Sequence, residues 1–274
     1  MDASRTSSMD AVDPSQDVRV LREPAVYLVG RQVVDPAEID RFLADHGVSW
    51  KTDTEVAGEH LVEMSGRICY MSFARPRPGG NKTYLDHILE VGHGSVLEHA
   101  VWNLVFTGVS RSLTHELVRH RAGWAYSQLS QRYVDESVAE YVEPDVIGAD
   151  PELHALWLEA VSHAHQAYMR LVERLADKFR DEPDKTLRRK LARQAARSVL
   201  PNATETKIFV SANARALRHF IEMRASRHAE VEIRKLAVKV LEIMQAEAPN
   251  LFSDYRLEPL PDGTREAVTT HRKV

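Results

Sequence analysis

An α+β fold, a mixed sheet interrupted by long helices, is what the sequence predicts, and three observations lead to it. Short β-branched or alternating runs stand at 25–34, 102–107 and 207–212, few and widely separated, as strands of one small sheet would be. Long stretches of helical period run over 151–181, 184–200 and 213–246. Strands and helices do not alternate regularly, which argues against a doubly wound parallel sheet.

Taken in order, residues 1–22 are polar without an apolar period and are expected to form a disordered arm. The run AVYLVGRQVV at 25–34 reads as a first strand, and Asp35 before Pro36 reads as a helix start opening into AEIDRFLADHG. A helix over 56–70 is stopped by RPRPGGN at 75–81, where prolines and paired glycines demand a basic, flexible loop. A helix at 84–91, a strand at 102–107 and a helix at 110–120 follow. A loop of small, aromatic and hydroxyl residues then leads to the two long helices, the strand KIFVSA and a single last helix over 213–246. With no internal repeat and no dividing linker, one domain is expected over 23–260, followed by a polar tail over 261–274.

Composition narrows the function. At 274 residues, 43% hydrophobic and 28% charged, the chain is long enough for a sizeable core. A net charge of −4 argues against non-specific nucleic-acid binding, so any anion site must be local. No apolar run approaches the roughly 18 residues of a membrane span, and the N-terminus is polar and acidic, so a soluble, cytoplasmic protein is expected. A single cysteine, Cys69, excludes an intrachain disulfide and any all-cysteine metal site. Its apolar neighbours in GRICYMS predict a buried, structural thiol.

The densest chemistry lies at 110–133, SRSLTHELVRHRAGWAYSQLSQRY, where four arginines, two histidines and a glutamate crowd into 24 positions. At about 100° per residue, Arg111, Ser112, His115, Glu116 and Arg119 share one arc of a helix while Leu113 and Leu117 lie away from it. Arginine forks suit a phosphomonoester, whereas a merely solvated charged face would not continue into Ser130, Gln131 and Arg132. In the last helix Leu217, Phe220, Ile221, Arg224, His228 and Val231 fall along one stripe, so Arg224 and His228 interrupt an apolar face and need a ligand or a partner subunit to balance them. Arg189, Arg193 and Arg197 form a further basic face at i, i+4, i+8, which alone is more often solvated. Among thirteen histidines, His115 and His120 are five apart, unlike the i, i+4 pair of a zinc helix, and no metal is expected. Dinucleotide, P-loop and serine-hydrolase motifs are absent.

The segment RHRAGWAYSQLSQRY, 119–133, resembles the signature of flavin-dependent thymidylate synthases, Arg-His-Arg, seven residues, then Ser-X-Arg. Further similarity lies in GHGSVLEH (92–99), SRSLTHEL, ARSVLPNATET (196–206), the NAR beginning at Asn213 and RASRHAEVEI (224–233), and spans roughly 27–255. The resemblance implies the thymidylate synthase-complementing fold, a homotetramer with active sites at subunit interfaces, and FAD bound across subunits. It implies reductive C5-methylation of dUMP to dTMP, with methylenetetrahydrofolate giving the carbon and NADPH reducing the flavin. Position by position, it assigns the nucleotide to Arg111, Glu116, Arg119, Ser130, Gln131, Arg132, Arg197 and Arg224. Arg224 polarises the base, and Ser130 lies close to the ring in a positioning role, because a hydroxyl without an adjacent base is a weak nucleophile. FAD falls to Ser95, Arg119, His120, Arg121, Asn213, Arg215 and His228.

One departure stands out: eight residues, AGWAYSQL, separate Arg121 from Ser130 where the family pattern has seven. A Gly123-Trp124 pair occupies the longer stretch and is expected to alter folate access or the sugar pocket, so that UMP is accepted beside dUMP. A dedicated UMP C5-methylase of nucleoside-antibiotic synthesis is the alternative. Two other classes, a non-catalytic nucleotide- or RNA-binding protein and a metal-dependent phosphohydrolase, lack any motif here; steep salt dependence and chelator sensitivity would mark them.

Overall fold

The computed structural model describes residues 18–74, 78–138 and 140–273. In chain order the first elements are β1 (Arg19–Leu21), β2 (Ala25–Arg31), α1 (Pro36–Asp45), α2 (Ala57–Tyr70) and α3 (Gly80–Glu90). A 3₁₀ turn at Gly94–His99 leads to β3 (Val101–Ser110), α4 (Arg111–Leu117), β4 (Trp124–Gln128) and β5 (Glu140–Val142). Then come α5 (Asp145–Gly148), α6 (Pro151–Lys178), α7 (Lys185–Ala196), a 3₁₀ turn at Arg197–Val199 and β6 (Glu205–Asn213). The chain closes with α8 (Ala214–Arg224), α9 (Val231–Glu247), α10 (Pro249–Phe252), β7 (Arg256–Pro259) and β8 (Arg265–Val268). The α+β class holds. No helix among the described residues is long and apolar enough to cross a membrane.

Where one domain was expected, the chain forms two compact units: one of the described residues up to Arg22 together with Ser130–Thr204, the other of Glu23–Leu129 and Glu205–Val274. In the larger unit β2-β3-β6-β4 make a four-stranded sheet whose neighbours are all antiparallel. Period-two alternation turns Trp102, Leu104 and Phe106 of β3 and Ile208, Val210 and Ala212 of β6 to one face. There they meet Leu113 and Leu117, Leu217, Phe220 and Ile221, and Ile233, Leu236 and Leu241 in the main core. Burying one leucine-sized side chain in such a core is worth about 1.5–3 kcal/mol.

In the smaller unit β1 pairs in parallel with β5. The arm expected over 1–22 thus ends in a strand, and residues 1–17 lie outside the described residues. Asp150 before Pro151 caps the 28-residue α6, and Asp184 caps α7. Tyr141 and Val161 form the unit's own core cluster, with Trp157 and Leu158 packed on it.

Several expectations need correcting. Residues 124–128, read as loop, form the edge strand β4. The tail over 261–274 contains β8, paired with β7. Of the loop expected at 75–81, residues 75–77 lie outside the described residues, and Gly80 and Asn81 already belong to α3. The single helix over 213–246 is two, broken between Arg224 and Val231. The break is held from β8: Glu266 accepts from the Arg227 backbone N–H at 3.1 Å and from its guanidinium, and the Ala267 N–H donates to the Ala225 carbonyl at 2.8 Å. Backbone groups that a continuous helix would pair internally are satisfied there by another strand.

Cys69 is exposed, not buried. On α2 the inward stripe belongs to Glu59, Val62, Glu63 and Arg67, with Arg67 paired to Glu63 at 2.7 Å and Asn81 donating to Glu63 at 2.8 Å. A satisfied ionic network takes the inward positions, and Ile68, Cys69 and Tyr70 turn to solvent. Cys69→Ser is accordingly expected to leave the melting temperature unchanged, while the native thiol labels with maleimide without denaturant. A thiol that labels only after denaturation would return it to the core.

Candidate active site

β3 delivers the chain to α4 through a register shift between Phe106 and Val109. Gly108 there has φ +65°, and a Cβ would sit 2.6 Å from the Glu23 carbonyl, so the bulge admits glycine and little else. Ser110 then caps α4, its Oγ accepting from the Leu113 N–H at 3.0 Å. The same hydroxyl and the Ser110 N–H donate to the Glu232 carboxylate, each at 2.7 Å. The first turn of α9 therefore fixes where α4 begins.

As expected, Leu113 and Leu117 are buried, Ser112 and Glu116 are half-buried, and His115 is exposed. The helix stops at Leu117, three residues short of expectation, and the Arg119 and His120 N–H groups close tight turns onto the Glu116 and Leu117 carbonyls. Arg111, half-buried, donates to the Leu129 carbonyl at 2.8 Å.

That ending brings His120 beside Arg224. Arg224 donates from Nη1 to Glu116 Oε2 at 2.6 Å and from Nε to His120 Nε2 at 3.0 Å. Two of the guanidinium nitrogens are thus fixed, and Nη2 makes no hydrogen bond among the described residues. Because a guanidinium only donates, Nε2 of His120 carries no proton and the neutral ring holds its proton on Nδ1. Burial, the Arg224 charge and His219 lower the His120 pKa from 6.5 to about 4. Above pH 6.5 the ring is neutral whether folded or unfolded; as pH falls toward about 4 only the unfolded chain takes the proton, so stability is lost across that window. Nitrogen-15 NMR of the protein should find His120 neutral at pH 5.5; a protonated ring there would contradict the geometry.

Glu230, in the break after α8, joins the cluster. Burial, its hydrogen bond to Glu116 and the charges of Glu116 and Glu232 raise its pKa.

Arg119 and Arg121 are exposed and, with His115 and Val118, line an open pocket of about 610 Å³. Asn213 caps α8, its Oδ1 accepting from the Ala216 N–H at 2.8 Å. Arg215, in the first turn of α8, pairs with Glu98 at 2.6 Å, and Ser95 is exposed in the 3₁₀ turn before β3. His228 does not share the stripe of Arg224: it lies in the break between α8 and α9, exposed, beside a pocket that Arg227 and Glu266 also line.

The remaining sequence-predicted residues belong to the smaller unit. Ser130 Oγ lies 3.4 Å from the Arg132 N–H that points to it, and the Ser130 carbonyl accepts from Tyr133 and Val134. Gln131 is 6% exposed, and its buried Nε2 has no hydrogen-bond partner among the described residues. The Arg132 and Lys190 cations lie over the Tyr133 ring. Arg193, of the basic face on α7, is committed to the Tyr133 carbonyl and Asp135, while Arg189 and Arg197 are exposed. Among the described residues no group of three or more histidine, cysteine or acidic side chains is placed to hold a metal ion.

His219, Tyr126 and Glu230 are the members of the Arg224 cluster that sequence reasoning missed. Each lies within a few residues of a motif position, but nothing in its local spacing says which way it faces.

The family model described as thymidylate synthase complementing protein matches residues 52–250. The chain is 54% identical over 230 residues to the flavin-dependent thymidylate synthase of Mycolicibacterium gilvum, covering 83% of this chain and 91% of that one. Flavin-dependent thymidylate synthases of Mycobacteroides abscessus and Mycobacterium tuberculosis are each 51% identical over the same shares. Among solved structures, a UMP/dUMP methylase, PolB from Streptomyces cacaoi, bound with 5-Br dUMP, matches with a TM-score of 0.62 at 19% identity, over 86% of this chain and 95% of that one. At that identity the likeness speaks for the fold.

Proposed function

Because the chain belongs to the thymidylate synthase complementing protein family, and its relatives are flavin-dependent thymidylate synthases, we propose that it methylates C5 of dUMP reductively. The flavin is FAD, methylenetetrahydrofolate gives the carbon and NADPH the reducing power. What supports this best is Arg224, held by Glu116 and His120 at two nitrogens with Nη2 left to donate.

C5 of uracil needs added electron density to take a one-carbon unit, and the cysteine that would supply it by adding to C6 is absent from these clusters: the one thiol, Cys69, lies on the solvent side of α2. Arg224 stabilises negative charge on the ring, and the preorganised Glu116 and His120 contacts spare it reorganisation when that charge develops. Arg111 and Arg119 hold the phosphate; Ser130, Gln131, Arg132 and Arg197 are assigned to the nucleotide on the motif alone. The donor set fits a flavin dinucleotide: Arg119 and Arg121 around an open basic pocket suit a diphosphate. The Nδ1–H of a neutral His120 suits an acceptor on the ring. Among the described residues Arg215 is held by an exposed ion pair with Glu98 that a ligand can displace at little cost. Asn213, Ser95 and His228 complete the FAD assignment. When bound, the flavin supplies the hydride that finishes the methyl group.

Assembly is read as a homotetramer with shared active sites, which light scattering tests against four times the chain mass. Reduced folate and NADPH place the work in the cytoplasm. The deciding experiment is single-turnover methylation by FAD-loaded protein with dUMP and UMP in parallel, reading 5-methyl product by mass. Where the longer loop in the sequence suggests UMP accepted beside dUMP, the thymidylate synthase relatives make the expected result dUMP favoured by 100-fold or more, roughly 2.7 kcal/mol. Comparable product from UMP would make it a UMP methylase, and no product from either, with FAD bound, would overturn the reading.

A further inference from the structure

The eight-residue spacing between Arg121 and Ser130 makes room for Gly123-Trp124, and the structure shows where the extra length goes. The Trp124 N–H closes a turn onto the Arg121 carbonyl at 3.2 Å, with Gly123 at φ +74°. A Cβ on Gly123 would stand 2.6 Å from the Asn213 amide nitrogen, and the Gly123 carbonyl accepts from the Asn213 N–H at 3.1 Å. The turn is therefore seated on the cap of α8. From it Trp124 enters β4 opposite Ala212, on the same face as Tyr126.

That face is the core face, and both rings pack against the main core. The indole stacks on Tyr126 at 5.7 Å and meets Phe220 edge-on at 5.5 Å and His120 at 6.3 Å. His120 itself lies 5.3 Å from Phe220 and 5.7 Å from His219. The Tyr126 hydroxyl donates to the His120 carbonyl at 2.5 Å. Trp124 and Tyr126 thus grip one histidine from ring and backbone, while Arg224 fixes its Nε2. The bulky side chain of the longer loop points at His120 and the core.

We propose that Gly123-Trp124 is a positioning element for His120: the glycine turn aims the indole, and the indole walls the imidazole so that its Nδ1–H is presented in one orientation to the flavin. This rests on the flavin reading of the site, and it assigns the longer loop to cofactor placement in place of sugar choice. The titratable and charged groups facing His120 are Arg224 and His219 of α8, Tyr126 of β4 through its hydroxyl on the His120 carbonyl and, through Arg224, Glu116 of α4.

The test is the His120 titration by nitrogen-15 NMR in full-length, flavin-free protein, for wild type, Trp124→Leu and Trp124→Phe. Trp124→Leu should raise the midpoint by about one unit or more and loosen the Nδ1–H tautomer. Trp124→Phe should restore most of the wild-type behaviour. FAD affinity should fall about tenfold in Trp124→Leu with the dUMP-to-UMP preference unchanged. An unmoved titration, or a changed nucleotide preference with an unmoved titration, overturns the proposal. Should Trp124→Leu fail to fold, Gly123→Ala takes its place with the same readout, and an unmoved titration there also overturns it. Since the titration is read without flavin or nucleotide, failure to methylate would sink the proposed function and leave this result standing.

Discussion

Arg224→Ala is expected to lower single-turnover methylation at least 10²–10³-fold, about 2.7–4 kcal/mol of transition-state stabilisation, while the fold survives. The side chain is 23% exposed and its partner Glu116 35%, so the ion pair contributes little to stability and the melting temperature should move only slightly. The functional loss is larger because two things go together. The base site loses its cation, and the Glu116–Glu230 pair, with Glu232 nearby, loses its nearest counter-charge. Arg224→Lys restores charge without the fork that reaches Glu116 and His120 at once, and should recover only part of the rate. An alanine variant with wild-type turnover would remove Arg224 from the chemistry.

The largest stability effect is expected at Arg218→Ala. Arg218 is 1% exposed and grips Asp254 with both terminal nitrogens, at 2.7 and 2.8 Å. It also donates to the Leu251 carbonyl at 2.6 Å and lies over the Tyr255 ring at 4.8 Å. Burial opposes ionisation of Asp254, but the hydrogen bond and charge of Arg218 outweigh it and hold the carboxyl below its usual range. Truncating Arg218 leaves that carboxylate largely buried without its cation, which costs about 3–5 kcal/mol. The melting temperature should fall by roughly 6–20 °C. Replacing both partners, Arg218→Met with Asp254→Leu, should cost less, because no unpaired charge is left behind. A double variant no better than the single one would show that the pair contributes more than mutual neutralisation.

Local signals carried much of the fold. Asp35-Pro36 starts a helix, and β3 and β6 alternate cleanly because one sheet face is buried. What failed was set at a distance. WAYSQ is too polar to announce a strand, since β4 is an edge whose partner lies far along the chain. Helical period runs unbroken through RASRHAE, and the break is imposed by Glu266, 39 residues beyond Arg227. Cys69 was misread because an ionic network, not apolar side chains, takes the inner stripe of α2. In the candidate site Glu116, His120 and Arg224 were legible as motif residues, and the structure brings them into hydrogen-bond contact. Their companions His219 and Glu230 were not, because membership of that cluster depends on where α8 ends.

The order β2-β3-β6-β4 also bears on how the protein is made. Among the described residues β4 has one neighbour, β6, which leaves the ribosome about eighty residues later, after α6 and α7 of the smaller unit. At about 5–20 residues per second the newly synthesised edge waits roughly 4–16 seconds with its backbone unpaired. Closing so long a loop late is slow. The turn at Gly123, seated on Asn213 at the end of β6, is finished only then. The nascent chain is therefore most exposed to mispairing during translation of α6 and α7, which is when a chaperone would matter most.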